Sequence, residues 1–579
     1  MLGGINLGKV LVYAFLLITF FSSVNLEIYQ NLKQFFEIKD AYLVDQLLFY
    51  ILLLVVLIHG YLTRRIRISI TDSLVLLLFL LIPFITHSEI LERYFYKEDF
   101  YFNLNVLRDG EVDFYYINSY FFTYPFLPIV VIYNFVGGAV HYYNFFTLIL
   151  LSVSGFLLYK LNLIILPLKN NFVEVISILI ALVYLTSPTY LDAYLWVSVG
   201  LEGGLMYSVM LLGIIYYLLF QKSKDSYYFL GAFIVLLVSL KTGFARVGFL
   251  PLIYLLIEIL FISKRGISNL LIRGGLIIFP TILFLFNSGH LTKIFYPPSE
   301  QSTGLAENLY LLLAYLPHAA IPYEALLFLY EFFINSFISQ ISPFDFNFYF
   351  SLGLIITISL LMWVFILKNK VLSRYILFFV TGSLICLFFF VNFGSLGKIG
   401  KIETFDKALS TYSITIGHRY YQGVNILLMT AFFIIVSSFV LKYPKLIVLN
   451  AGLLIAIIMY NVPITKMHNR VFIKDYAAQN RAFYEGVLKA VPSDNRKKIL
   501  YFTNGKKWTA RIHADEHYLE AFYLSDTLIL VNQESDVGEQ MQKGSYKIGD
   551  VYAVYFDEPT LTLLDQTQEY RNKLLGANK

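Results

Sequence analysis

Charge is scarce in this chain: of 579 residues only 14% are Asp, Glu, Lys or Arg, against about 25% in ordinary soluble proteins. That deficit excludes a set of water-soluble domains, because a soluble surface of this size needs more charge than is present. Cysteine is almost absent, and the single Cys386 excludes an internal disulfide and any thiolate metal cluster. The excess of 44 Lys and Arg over 39 Asp and Glu leaves only +5, too little to imply a nucleic-acid partner. Low-complexity tracts and internal repeats are lacking, which argues against a solenoid or an inverted-repeat transporter. What is present is apolar: 58% hydrophobic residues, with 54 Phe and 46 Tyr, and a mean hydropathy of +0.67. The solvent for most of this chain is a lipid bilayer.

A membrane-crossing helix needs about 20 mostly apolar residues. Thirteen runs approach that length, near 9–25, 46–63, 70–88, 143–161, 172–188, 204–220, 227–243, 246–263, 271–287, 350–367, 374–392, 423–441 and 446–463. A shorter stretch, 124–136, begins Tyr-Pro-Phe-Leu-Pro and ends at Gly137-Gly138, and is expected to lie at the interface. Lys and Arg concentrate in cytoplasmic loops. With the N-terminus cytoplasmic, the inner loops hold Arg64, Arg65 and Arg67; Lys160 and Lys169; Lys222 and Lys224; Lys264, Arg265 and Arg273; Lys368, Lys370 and Arg374; and Lys442 and Lys445. The first run follows Lys9 and shows no convincing small-x-small cleavage site after Phe21-Ser22-Ser23-Val24, so it reads as a retained span.

The expected organisation is an N-terminal three-span region (1–88), a transmembrane region (89–463) and an extracytoplasmic domain (464–579). The large outer segments of the middle region are 89–142, 189–203, 288–349 and 393–422. In the tail, Lys474 to Ala490 has the pattern of an amphipathic helix. The runs beginning at Lys498, Thr527 and Asp550 read as strands, so the tail is a small α/β module. The fold class is thus an α-helical polytopic membrane protein of about 13 spans with a C-terminal α/β domain on the outer face.

Charges in mid-membrane mark ion pathways, and the spans have almost none, which disfavours an ion-coupled carrier. Charged and aromatic residues gather instead at outer span ends. One group runs from Glu89 through Glu92, Arg93, Lys97, Glu98 and Asp99 to Gly110; a second from Asp192 to Glu202; a third is Lys241 with Arg246; a fourth is Gly417-His418-Arg419-Tyr420-Tyr421. Each residue alone reads most simply as an interfacial anchor. In combination, separated carboxylates supply a general base or hold a divalent cation, and nearby Lys and Arg bind a phosphate leaving group. Tyr94, Tyr96, Tyr101, Tyr194 and Trp196 are the aromatics close to these acids. The tail cluster His513, Asp515, Glu516 and His517 matches no metal-binding spacing and reads as solvated surface.

The order of these features resembles the GT-C superfamily of integral-membrane glycosyltransferases, in particular the protein O-mannosyltransferase and lipid A aminoarabinose transferase branch. The resemblance covers about 90–430. It rests on Glu98-Asp99, Leu107-Arg-Asp-Gly110, Tyr124-Pro-Phe-Leu, Phe135-Val-Gly-Gly, Thr186-Ser-Pro188 with Glu202, Leu240-Lys241-Thr-Gly243 and Arg419-Tyr420. Three departures stand out: three spans precede the acidic loop rather than one, the acidic pair is Glu-Asp rather than Asp-Glu, and Thr123-Tyr124 replaces a Lys before the juxtamembrane Pro.

The resemblance implies an inverting transfer of a sugar from a polyprenyl-phosphate donor to a protein, lipid or glycan acceptor at the outer face. Asp99 or Glu98 is then the base, and Lys241, Arg246 and Arg419, flanked by His418 and Tyr420, bind substrate. Glu202 either orients the acceptor or shares a divalent cation, Mg or Mn, with Asp99, and 288–349 closes over the substrate. The competing expectations are a non-catalytic polytopic scaffold, a lipid-linked glycan transporter and a polymerase using the same donors.

Overall fold

The computed structural model describes residues 12–13, 16–17, 41–66, 68–94, 126–136, 139–166, 171–261, 266–287, 305–333, 346–393, 419–492, 494, 496–504, 528–543, 546–557 and 559–577. Helices dominate. In chain order they are α1 (Ala41–Leu62), α2 (Ile70–Thr86), α3 (Phe126–Val136), α4 (Val140–Ile165), α5 (Asn171–Thr186), the one-turn α6 (Asp192–Leu195), α7 (Val197–Ser223), α8 (Ser226–Thr242), the one-turn α9 (Phe244–Val247), α10 (Leu250–Leu260) and α11 (Gly266–Asn287). There follow α12 (Leu305–Ala320), α13 (Tyr323–Phe333), α14 (Phe346–Ile366), α15 (Lys370–Phe393), α16 (Tyr421–Lys442), α17 (Ile447–Phe472) and α18 (Ala478–Ala490).

Among the described residues six helices are long and apolar enough to cross a membrane: α4, α7, α14, α15, α16 and α17, the last counted with the turn before it. Six shorter apolar helices fall at expected runs, at Gln46–Leu62, Ile70–Thr86, Asn171–Thr186, Ser226–Thr242, Leu250–Leu260 and Leu271–Leu285. The first expected run, 9–25, lies almost wholly outside the described residues. One element departs from expectation. The segment read as a closing loop contains two helical arms, Asn308–Ala320 and Tyr323–Leu329, bent by 105° and apolar enough together to form a broken span or a re-entrant loop. Pro317, Glu307 and Glu324 interrupt the apolar pattern there, which hides the pair from a scan for continuous runs. The stretch at 126–136 is an eleven-residue helix, about 16 Å long and shorter than a bilayer's hydrocarbon.

At the centre of the bundle lies α7, 83% buried along its most apolar window, whereas the corresponding figures for α14 and α17 are 17% and 11%. Close packing of α7 on α4 follows from two glycines four residues apart. A Cβ on Gly200 would come 2.8 Å from Thr147 Cγ2, and one on Gly204 2.8 Å from Leu150 Cβ. Small residues at this spacing let two helix backbones approach where lipid supplies no hydrophobic drive. The rim is greasy: Phe365, Val448, Leu449 and Met459 are largely exposed on α14 and α17, the pattern of helices whose outer faces meet lipid rather than water.

Beyond α17 the chain runs through a π-helical turn, Ile473–Ala477, straight into α18 and the C-terminal module. Its strands β1 (Lys498–Phe502), β2 (Leu528–Val531), β3 (Val551–Asp557) and β4 (Thr562–Asp565) form one sheet in the order β2-β1-β3-β4. The first three pair in parallel and β4 is antiparallel. The helices α19 (Glu534–Lys543) and α20 (Thr567–Ala577) complete it. Phe483 of α18 stacks on Phe502 at 5.7 Å and meets Phe556 edge-on at 5.4 Å. The same hydrophobic cluster includes Tyr94, Tyr143, Val197 and Leu201 of the bundle, so the module is packed on one end of the helices. Arg470 pairs with Glu89 at 3.0 Å, and Arg481 lies over the Tyr94 ring at 5.7 Å.

Candidate functional site

The end of the bundle beneath this module carries the polar groups singled out in the sequence. Helix α7 begins there because Trp196 is extended, with φ −105° and ψ 143°, and its carbonyl is held by a buried arginine. Arg93 donates from Nη1 to the Trp196 carbonyl at 2.6 Å and to the Tyr194 carbonyl, from Nε to Asn144 Oδ1 at 2.8 Å, and from Nη2 to Thr147 Oγ1 at 3.2 Å. Gly200 leaves room for this, since a Cβ there would lie 3.2 Å from Arg93 Nη1. Arg93 fixes the start of the helix, and Glu202 follows two turns on.

Glu202 is 1% exposed and Arg246 is 2% exposed, and they form an ion pair, Arg246 Nη2 donating to Glu202 Oε2 at 2.9 Å. The backbone that brings them together is a tight turn. Helix α8 ends at Lys241-Thr242, Gly243 sits where a Cβ would strike Met206 Sδ at 1.8 Å, and α9 then carries Arg246 back toward α7. Lys241 is buried at the last turn of α8. From the start of α16 come Arg419 and Tyr420. The Arg246 guanidinium lies over the Tyr420 ring at 4.9 Å, and Arg419 covers Trp196 at 4.9 Å and Tyr420 at 5.6 Å. Tyr420 itself is stacked on Phe390 of α15 at 4.5 Å. Arg419 adds a second positive charge within electrostatic reach of Glu202.

Below this cluster Gln422 donates to the hydroxyls of Tyr184, at 2.8 Å, and Tyr194, tying α16 to α5 and α6. Asn425 donates to Thr189 Oγ1 at 3.1 Å and to the Ala319 carbonyl at 2.9 Å, which anchors α12 to the same floor. Just past the end of α2, His87 is buried beside Tyr194, with Nε2 3.1 Å from the Leu185 carbonyl.

The pair is incompletely satisfied. Among the described residues Glu202 Oε1, Arg246 Nε and Nη1, and the Tyr207 hydroxyl are buried with no hydrogen-bond partner. Such atoms cost free energy unless something polar reaches them. An apolar groove of about 560 Å³ opens between α1, α3, α4 and α7, lined by Tyr50, Phe135, Phe145, Phe146, Leu201 and Leu205 among others and by none of the charged residues of the cluster. Its outer lip is exposed at Phe135, Tyr142 and Phe145, and Leu201 precedes Glu202 in the chain.

Of the sequence-derived candidates, Glu202, Arg246, Arg419 and Tyr420 are therefore brought together, and Lys241 lies on the same turn as Arg246. Asp99, Glu98 and His418 lie outside the described residues, as do His513, Asp515, Glu516 and His517. Among the described residues no three His, Cys, Asp or Glu side chains are grouped so as to hold a metal ion. A cation shared by Glu202 and Asp99 involves a residue that is not described, and the Glu202 side of it is already engaged by a guanidinium. Tyr207, Gln422 and the anchoring role of Arg93 are not legible in the sequence, since one tyrosine in an apolar run, out of 46 in the chain, carries no signal.

Compared with the models of known protein families and with curated proteins, the chain matches none.

Proposed function

We propose that the chain is a glycosyltransferase of the GT-C type, moving a sugar from a polyprenyl-phosphate-linked donor to an acceptor at the outer face of the membrane with inversion. The supporting observation is the juxtaposition at one end of an apolar helix bundle. Arg246 pairs with one buried carboxylate, Glu202, and shares the Tyr420 ring with Arg419, while an apolar groove with an exposed lip opens along α7 at Leu201 and Leu205. A lipid phosphate has the two parts this arrangement suits: a chain for an apolar groove, and an anion for a site that presents guanidinium groups.

In this reading the polypeptide crosses the bilayer about thirteen times with the N-terminus cytoplasmic, and the C-terminal module is extracytoplasmic over the site. Asp99 or Glu98 removes the proton from the acceptor hydroxyl as it attacks the anomeric carbon. The electron pair of the breaking bond departs with the lipid phosphate, whose growing charge Arg246, Arg419 and Lys241 stabilise, with His418 and Tyr420 beside them. A divalent cation, Mg or Mn, would engage Asp99 and Glu202.

The test uses purified full-length protein in lipid nanodiscs with radiolabelled polyprenyl-phosphate sugars and a membrane extract as acceptor. Wild type transfers label. Asp99→Asn or Glu98→Gln, whichever removes the base, lowers the rate by about 100-fold or more, and Arg419→Ala lowers it by about tenfold to 100-fold. Transfer that survives both acid substitutions in folded protein would move the chemistry elsewhere, and a complete lack of transfer from every donor would favour a scaffold.

A further inference from the structure

At the far end of α16 from Arg419 and Tyr420, positive charge gathers on the surface. Short connections join α14 to α15 and α16 to α17, and α15 packs against both α14 and α16. The Trp363 ring of α14 meets Phe439 of α16 edge-on at 6.5 Å, so the two connections share one corner of the bundle. Lys368, Lys370, Arg374, Lys442 and Lys445 lie in or beside them, all exposed. Acids at this end of the bundle are engaged by other groups: Asp72 by Lys160 at 2.9 Å, Asp225 by Arg65 at 3.0 Å, and Glu258 by Arg273 at 3.1 Å. Among the described residues none of the corner's cations is in an ion pair.

Two of these cations sit where a helix disfavours them. Lys370 is the first residue of α15 and Arg374 the fifth, with no acid in the first turn, at the positive end of the helix dipole. The Asn369 side chain already accepts from the Val371 and Leu372 amides, at 3.0 and 3.3 Å, so an anion arriving here meets side chains rather than free backbone. On its membrane side the corner is apolar and aromatic. Phe365, Ile366 and Phe439 are exposed, and Tyr443 lies 5.2 Å from Phe439 and under Lys442 at 5.0 Å. We propose that this corner binds an anionic phospholipid, its phosphodiester headgroup held by Lys368, Lys370, Arg374, Lys442 and Lys445 and its acyl chains lying along Trp363, Phe365 and Phe439. Basic residues at helix ends beside lipid-facing apolar surface suit such a headgroup, whereas the ammonium of a zwitterionic lipid is repelled by the same cations. The site is independent of the sugar-transfer reading.

Trp363 reports on the corner directly. Of the three tryptophans, Trp196 opens α7 at the other end of the bundle, and a Trp363→Phe variant gives the background signal to subtract. Full-length protein is placed in phosphatidylcholine nanodiscs containing an increasing fraction of brominated phosphatidylglycerol or brominated phosphatidylcholine, and quenching of Trp363 is followed. In wild type, half-quenching by the anionic lipid needs a mole fraction about tenfold lower than by the zwitterionic one. Lys370→Gln/Arg374→Gln reduces that preference to below about threefold. Lys442→Gln/Lys445→Gln does the same and stands in if the first pair folds poorly. Arg64→Gln/Lys224→Gln, which removes the same charge elsewhere at this end, keeps the preference within about twofold of wild type. No preference in wild type, or equal losses in the corner and control variants, would overturn the site and leave only a diffuse effect of positive charge.

Discussion

Arg246 has five N–H donors in a rigid plane, and one of them, from Nη2, meets Glu202. A guanidinium buried this deeply is stable only with its counter-charge in place. Arg246→Met should therefore destabilise the protein by about 3–5 kcal/mol by leaving Glu202 uncompensated. The double variant Arg246→Met/Glu202→Leu should recover much of that loss, because replacing both ions with apolar side chains removes the unpaired charge. Thermal unfolding in nanodiscs, read by loss of ligand-independent fluorescence, checks both. Additive losses would show that the two side chains do not act as a pair. Glu258 offers a contrast at the other end of α7. Its carboxylate accepts from Tyr217 at 2.8 Å and Gln221 at 2.6 Å and pairs with Arg273 at 3.1 Å, which makes it a completed structural anchor.

Among elements, α7 decides the site, since it supplies Glu202 and Tyr207 and lies against α4 through Gly200 and Gly204. Gly204→Leu would force the α4 and α7 backbones apart, because even a Cβ there is 2.8 Å from Leu150. The expected cost is about 1–3 kcal/mol, together with loss of the proposed sugar transfer, since Arg93 bridges the same two helices to Trp196. Gly452→Leu is the control: a Cβ at that position meets nothing within 4 Å, so its stability should match wild type. Equal effects of the two substitutions would show that the α4–α7 contact is not tight. The broken pair α12–α13 is a second decisive element, tied to the floor of the site through Ala319 and Asn425 and to α17 through Glu324 and His468.

For the molecule as a whole, the proposed topology separates the ends of the bundle across the bilayer. Cys386 is fully buried, so single cysteines introduced elsewhere can be labelled against a silent background. Ser535→Cys, on the C-terminal module, should react with a membrane-impermeant maleimide in intact cells. Lys224→Cys, at the α7–α8 turn, should react only after permeabilisation. The reverse pattern would invert the orientation drawn from the Lys and Arg distribution. Labelling of both in intact cells would place both turns on one side and change the span count between them.

Composition and period alone establish that this is a helical membrane protein with a polar α/β tail, because a hydrophobic run of bilayer length is a local property. The expected strands at Lys498, Thr527 and Asp550 coincide with β1, β2 and β3, since alternation and turn residues are local too. The edge strand β4, four residues long and mostly exposed, has no such pattern. The site is legible only in outline. Glu202, Arg246, Arg419 and Tyr420 stand out as charged or aromatic residues at helix ends, but nothing in their spacing says that Arg246 pairs with Glu202 rather than facing solvent. Positions 202, 246 and 419 are far apart in the chain, and only packing of α7, α9 and α16 brings them within contact. That packing depends on glycines admitting neighbouring atoms to within 3 Å. Which polar atoms are left without partners is likewise decided by that three-dimensional fit and by no local pattern in the chain.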